Sequence, residues 1–217
     1  MGGREATAVD RRESRREAKK ARILVEAWAL AHRDGLAAIS LRDLANRVEL
    51  RQPSLYAYFD SKLGLYDMMF ADGNRQLLAW IDELPSCEEP RQALAAFVRS
   101  LVRFSTEDVV RHQLLFQRTI PDFEPSPASY ALALEFYEIA QRRLEAAGAS
   151  DPEDVDLFSA LVNGLAHQQV ANDPGGDRWV RLAERAVDMF LTDVERDTHT
   201  EFQKEQKEQK EQKGAAR

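Results

Sequence analysis

The 217-residue chain has a single cysteine, Cys87, and only four histidines, His32, His112, His167 and His199. One cysteine excludes an internal disulfide framework and a cysteine-rich zinc module, and it fits a reducing compartment. The histidines lie far apart in sequence and lack the His-x-x-x-His spacing or the cysteine partners of a metal site. There is no P-loop, no glycine-rich dinucleotide turn and no Gly-x-Ser-x-Gly elbow, so the chain reads as a non-enzyme that needs no cofactor and no metal. No apolar run reaches the roughly 18 residues of a membrane span. Even the least charged stretch, Leu157 to Asn172, carries Asn163, His167, Gln168 and Gln169. Basic residues ahead of the run ILVEAWALA have the look of a secretion signal only until Glu26 interrupts it, and a cytoplasmic protein is expected. Alternating Val/Ile/Thr/Tyr runs joined by hairpin turns are also missing.

What is present is a mixture of 44% hydrophobic and 31% charged residues, ordinary for one or two globular domains with a sizeable core. The charge is unevenly placed. Residues 1–62 hold 13 basic and nine acidic side chains, a balance of +4, so the formal −7 of the whole chain leaves −11 for the remainder. Such asymmetry points to a nucleic-acid-binding end joined to a different module, or to a solvated basic tail.

Helix-favouring residues with apolar positions three and four apart alternate with Pro, Gly and Asp clusters, which predicts an all-α fold. A first helix is expected over about Arg15 to Arg33, with Ile23, Ala27, Leu30 and Ala31 facing a core. Gly35 sits just past its end, where a left-handed stop favours glycine. Ser40 is a suitable N-cap for a short second helix ending near Val48, with Asp43 completing a capping box and Ile39 and Leu44 a hydrophobic staple. A third helix opens at Gln52-Pro53 and closes at Phe59-Asp60. Asp60 or Ser61 then caps a fourth through roughly Glu83. Beyond the Leu84 to Pro90 linker, helices are expected near Arg91 to Thr106, Val109 to Thr119, Pro127 to Ala147, Pro152 to Ala171 and Arg178 to Arg196. The Gln-Lys-Glu repeats that follow Gln203 offer no apolar face, and they read as a solvated, mostly disordered tail.

Two short helices joined by a tight turn behind a supporting helix have the size and order of a helix-turn-helix. Leu41, Leu44, Ala45, Val48, Leu50, Leu55 and Phe59 would form its small core, leaving Arg42, Arg51, Gln52, Ser54, Tyr56 and Tyr58 outside. Gln bonds adenine in two places, Ser meets several base edges, and Tyr and Arg bond phosphate oxygens. Residues two apart on a helix point elsewhere, so Tyr56 and Tyr58 do not both share the face of Leu55 and Phe59.

These residues resemble the TetR family of one-component transcriptional regulators. The resemblance is carried by Ile39-Ser40-Leu41-Arg42-Asp43-Leu44-Ala45, by Gln52-Pro53-Ser54-Leu55-Tyr56-Ala57-Tyr58-Phe59 and by Ser61-Lys62, and it is specific over about Arg15 to Phe70. It implies a DNA-binding set of Ser40, Arg42, Arg51, Gln52, Pro53, Ser54, Tyr56, Tyr58 and Lys62. In that set Tyr56, Tyr58 and Lys62 clamp phosphates while Gln52 and Ser54 face base edges. Glu49 departs from the pattern, because the family often has glycine in this turn. A non-glycine residue in a left-handed conformation costs about 1–2 kcal/mol, so a slightly different turn is expected, with an acid near the DNA. Arg51 replaces a preferred N-cap and exchanges capping for a phosphate contact. The arm Arg11 to Lys20, RRESRREAKK, either follows phosphates or a minor groove, or is a solvated tail.

The same resemblance implies three segments: residues 1–62 as arm and DNA-binding domain, 63–198 as a helical ligand-binding and dimerisation domain, and 199–217 as a charged tail. A ligand cavity would lie among the middle helices and a two-fold dimer contact on the last two, with Arg181, Leu182, Arg185 and Met189 contributing. Phe97, Phe104, Phe116, Phe136, Tyr137 and Phe158 are the candidate apolar lining, or plain core. Asn163 and His167, four apart on one helix, either anchor the ligand or meet their mates across the dimer axis, and His112 is a weaker candidate of the same kind. The expected function is a repressor that binds a palindromic operator in double-stranded DNA as a homodimer and is released by a small-molecule effector. The alternatives are an activator on the same scaffold and a helical adaptor for protein partners.

Overall fold

The computed structural model describes residues 8–196; residues 1–7 and the predicted 199–217 tail lie outside the described residues. All regular elements among them are helical, as the periodicity predicts. They are α1 (Ala8–Asp34), a 3-10 turn (Leu36–Ala38), α2 (Leu41–Arg47), α3 (Gln52–Leu55), α4 (Lys62–Asp82), α5 (Pro90–Glu107) and α6 (Val109–Phe116). There follow α7 (Pro127–Ala146), α8 (Pro152–Asn172), a second 3-10 turn (Val180–Leu182) and α9 over 183–196. No described helix is long and apolar enough to cross a membrane.

The helix ends follow from local chemistry. Ser40 Oγ accepts the Asp43 N–H at 3.2 Å, and Ser61 Oγ accepts the Gly64 N–H at 3.1 Å. The Glu89 carboxylate takes the Arg91 and Gln92 N–H groups at 3.0 and 2.6 Å, and Asp151 takes that of Glu153 at 2.8 Å. Each such cap contributes about 1 kcal/mol by satisfying an N–H that the helix cannot. Gly35 stops α1 at φ +86° and ψ 155°, a conformation essentially reserved for glycine.

Helix α6 stops at Phe116, three residues short of the expected Thr119, and three other boundaries differ from the sequence reading by four residues or more. Helix α1 begins at Ala8, so the Arg11–Lys20 segment is helical. Helix α3 ends at Leu55, after which Ala57 and Tyr58 donate to the carbonyls three residues back, Ser54 and Leu55, in tighter turns. Helix α9 starts at 183 because the fully buried Gln169 takes over the preceding N–H groups: its Oε1 accepts from Trp179 at 2.8 Å and Val180 at 3.2 Å, while its Nε2 donates to the Asp173 carbonyl.

The chain forms two compact units, one of residues 8–77 with 110–134, the other of 78–109 with 135–196. In the first, Ile23, Ala27, Leu30 and Ala31 of α1 are fully buried, and Leu44, Leu55, Leu65 and Met69 join them. Burying each leucine contributes about 1.5–3 kcal/mol. Polar ties cross this core: Trp28 Nε1 and Gln76 Nε2 both donate to Asp72 Oδ2, at 2.8 and 2.7 Å, and Arg111 donates to Gln76 Oε1 at 2.7 Å. In the second unit α5 packs on α8, burying Leu94, Val98 and Val102 with Val155, Val162 and Leu165. Arg91 at the start of α5 pairs with Asp188 and Glu195 of α9 at 3.3 and 2.6 Å.

Candidate nucleic-acid interface

Within the first unit, α2 and α3 rest on α1 through a buried set of Leu44, Ala45, Val48, Leu55 and Phe59, with Leu41 and Leu50 half-buried at its margin. Burying those side chains leaves the opposite row exposed. Arg42, Arg51, Gln52, Pro53 and Ser54 all face solvent, and Tyr56 is 46% exposed with its ring edge-on to Phe59. Among the described residues Arg42 and Arg51 make no ion pair, unlike Arg22, Arg33 and Arg47 nearby. Ser40 is half-buried, its hydroxyl occupied by the α2 cap. Tyr58 is half-buried against the core, as the tightened turn after Leu55 directs it. Lys62 donates to the Ala37 carbonyl at 2.8 Å, and Tyr66, one turn on, donates to that of Leu36 at 2.6 Å. Burial pushes the Tyr66 hydroxyl up from its usual 10.0, so it stays a donor.

Glu49 adopts the conformation a glycine would. Its φ is +55°, its N–H bonds the Asn46 carbonyl at 3.2 Å, and the Leu50 N–H bonds that of Ala45 at 2.8 Å, the paired closure of a left-handed helix stop. The turn therefore keeps a left-handed closure with an acid in place of glycine. Its carboxylate accepts a 2.6 Å bond from Arg22, which with the positive charge of Arg22 and then Lys19 holds it below the usual 4.5. The acid is thereby turned to α1.

Sequence reasoning missed what α1 does for this turn. Lys19 donates to the Val48 carbonyl at 3.1 Å, Arg22 to that of Arg47 at 3.2 Å and Arg16 to that of Ala57 at 3.3 Å. Three cations thus hold the carbonyls at the ends of α2 and of the turn after α3, where positive charge is favoured. Their spacing of three along α1 was the available signal.

The residues named for a ligand cavity fall in both units. Phe97 and Phe136 stack at 6.2 Å, and Arg143 lies 5.1 Å over the Phe97 ring. Phe104 instead meets Trp80 at 5.8 Å, and Phe158 meets Phe190 at 5.1 Å. Phe116 packs beside the buried His112 in the first unit, and Tyr137 is 44% exposed. Asn163 and His167 share an exposed face of α8. Among the described residues no cluster of His, Cys, Asp or Glu could hold a metal ion.

Residues 23–69, from within α1 into α4, match the family model of the bacterial regulatory proteins of the tetR family. No curated protein matches the sequence. Solved structures with the same fold include PfmR, a TetR family transcriptional regulator from Thermus thermophilus, 22% identical with a TM-score of 0.57 over 79% of this chain and 97% of that one. A TetR-family transcriptional regulator from Bordetella parapertussis is 23% identical, with a TM-score of 0.58 over 79% and 93%. A transcriptional regulator from a Rhodococcus species is 20% identical, with a TM-score of 0.61 over 81% and 95%.

Proposed function

We propose that this TetR-family transcriptional regulator is a repressor that binds a palindromic operator as a homodimer and lets go of it when a small molecule binds. The observation that carries the DNA-binding part is the exposed row Arg51, Gln52, Ser54 and Tyr56, set on the buried side chains of Leu44, Val48, Leu55 and Phe59. In this reading Gln52 and Ser54 meet base edges, and Arg42, Arg51, Tyr56 and Tyr58 meet phosphates. Pro53 and Ser40 fix the openings of the two helices at the groove. Lys62 has two ammonium N–H groups left for a phosphate after its bond to Ala37.

Dimerisation is supported by the apolar surface on α8 and α9. Leu157 is 55% exposed and Met189 64%, and both line an open groove with Leu161 and Phe190. A second copy covering it would give a two-fold dimer, and a palindrome read by such a dimer has its half-sites on successive major grooves, about 34–36 Å apart. For the effector, the second unit offers a groove of about 720 Å³ in which Leu78, Ile81, Leu84 and Ile139 alternate with the polar Asp82, Ser86, Glu135 and Arg143, the last lying over the Phe97 ring. A ligand releases DNA only by binding the state with wrongly spaced recognition helices more tightly. A reducing cytoplasm is the setting this function requires.

Binding of variants to mixed-sequence duplex and to a selected operator tests the roles. Tyr56→Phe and Lys62→Ala should weaken binding to every sequence, whereas Gln52→Ala should relax preference at one position in each half-site by about 1–3 kcal/mol. Unchanged affinity and salt slope in Lys62→Ala would remove Lys62 from the phosphate set.

A further inference from the structure

Helix α1 carries Arg12, Arg15, Arg16 and Lys19 at the three-and-four spacing that aligns residues along one helix face. The inner pair is engaged: Arg16 and Lys19 donate to the carbonyls of Ala57 and Val48. Those bonds fix the direction of the stripe, because they turn this face of α1 toward the end of α2 and the turn after α3. Arg12 and Arg15 continue it outward, Arg12 about 6 Å beyond Arg16 along the helix axis. Both are exposed, and among the described residues neither has an ion-pair partner. The four cations line one open groove of about 720 Å³ with Ala57 and Tyr58, and Glu13 is its single acid. The neighbouring Glu17 is drawn off to Lys20 at 3.0 Å.

We infer that Arg12 and Arg15 form a second DNA contact, a phosphate clamp on the backbone flanking the bases read by α3. This rests on the DNA-binding function proposed above. The occupant follows from charge and from continuity: the groove opens beside Tyr58, at the edge of the exposed face of α3, and presents charge but little donor and acceptor variety. A run of like charge without a varied donor and acceptor pattern suits the uniform negative charge of phosphates better than the reading of a base sequence. The clamp therefore adds affinity and salt dependence to every sequence alike and leaves the operator preference unchanged.

The test measures the full-length dimer against a mixed-sequence duplex long enough for two half-sites and their flanks, across a salt series. Each phosphate contact contributes about 0.9 to the slope of log affinity against log salt, so Arg12→Ala/Arg15→Ala, which removes four cations per dimer, should lower the slope by about 3 to 4. Affinity near 0.1 M salt should fall at least tenfold. Arg12→Lys/Arg15→Lys should restore the slope, and sequences selected from random duplex should be the same for all three proteins. A double-alanine variant with the wild-type slope overturns the clamp while leaving DNA binding intact, and so does a changed sequence preference. Absence of any salt-dependent duplex binding by the wild type would sink the DNA-binding reading and the clamp with it. Helical content by circular dichroism, expected to be unchanged, separates loss of contacts from loss of the helix.

Discussion

Gly35 and Glu49 both hold positive φ, by different means. Gly35 has no atom within 4 Å of where a Cβ would stand, so Gly35→Ala meets no clash and is opposed by the backbone alone. It should cost about 1–3 kcal/mol in urea unfolding. Glu49→Gly removes a strain of about 1–2 kcal/mol and gives up only a solvent-exposed ion pair, so a gain of up to about 2 kcal/mol is expected. Loss of stability in Glu49→Gly, or silence of Gly35→Ala, would contradict these assignments. A pH series tests the same pair. Arg22 lowers the Glu49 carboxyl in the folded state, so its contribution is complete above the usual 4.5 and disappears as pH falls through the folded value. Asp34, lowered by the bond from Arg33, and Asp173, lowered by the Arg178 N–H and Gln169, act in the same direction. Urea midpoints should hold from neutral pH to about 5 and drop below it. In Glu49→Gln the drop should be shallower.

At the scale of elements, the helices were legible because each boundary has a local cause. Ser40, Gly35, Ser61 and the prolines opening α5, α7 and α8 act within one turn of where they stand in sequence. The exposure of Arg51, Gln52, Ser54 and Tyr56 was legible for a related reason, since burying Leu55 and Phe59 fixes which side is left outside. The elements misplaced by sequence depend on residues far along the chain. Gln169 delays α9 through bonds ten and eleven residues away, and Arg16, already inside the expected span of α1, holds the turn after α3 from 41 residues away. Periodicity is equally blind to which aromatic rings meet, so the pairs Phe97 with Phe136, Trp80 with Phe104 and Phe158 with Phe190 could not be read from it. Gln169→Leu keeps the volume but leaves two N–H groups without their acceptor, and it should cost about 2–3 kcal/mol. A cost below about 0.5 kcal/mol in thermal or urea unfolding would mean that Gln169 does not organise the start of α9.

For the whole molecule, the proposed function links DNA reading to dimerisation, because one short recognition helix spans only a few bases. Leu157→Asp/Met189→Asp places charges on the apolar surface of α8 and α9. It should give a monomer by sedimentation and weaken operator binding at least a hundredfold, with helix content retained. A dimer that survives would move the contact elsewhere. The most direct measurement of the central claim is selection from random duplex DNA by the purified wild-type protein near physiological salt, with the bound pool sequenced. An inverted repeat should be enriched, its half-sites centred about one helical turn apart or a multiple of it. A folded, dimeric protein that enriches no sequence over input would contradict the account.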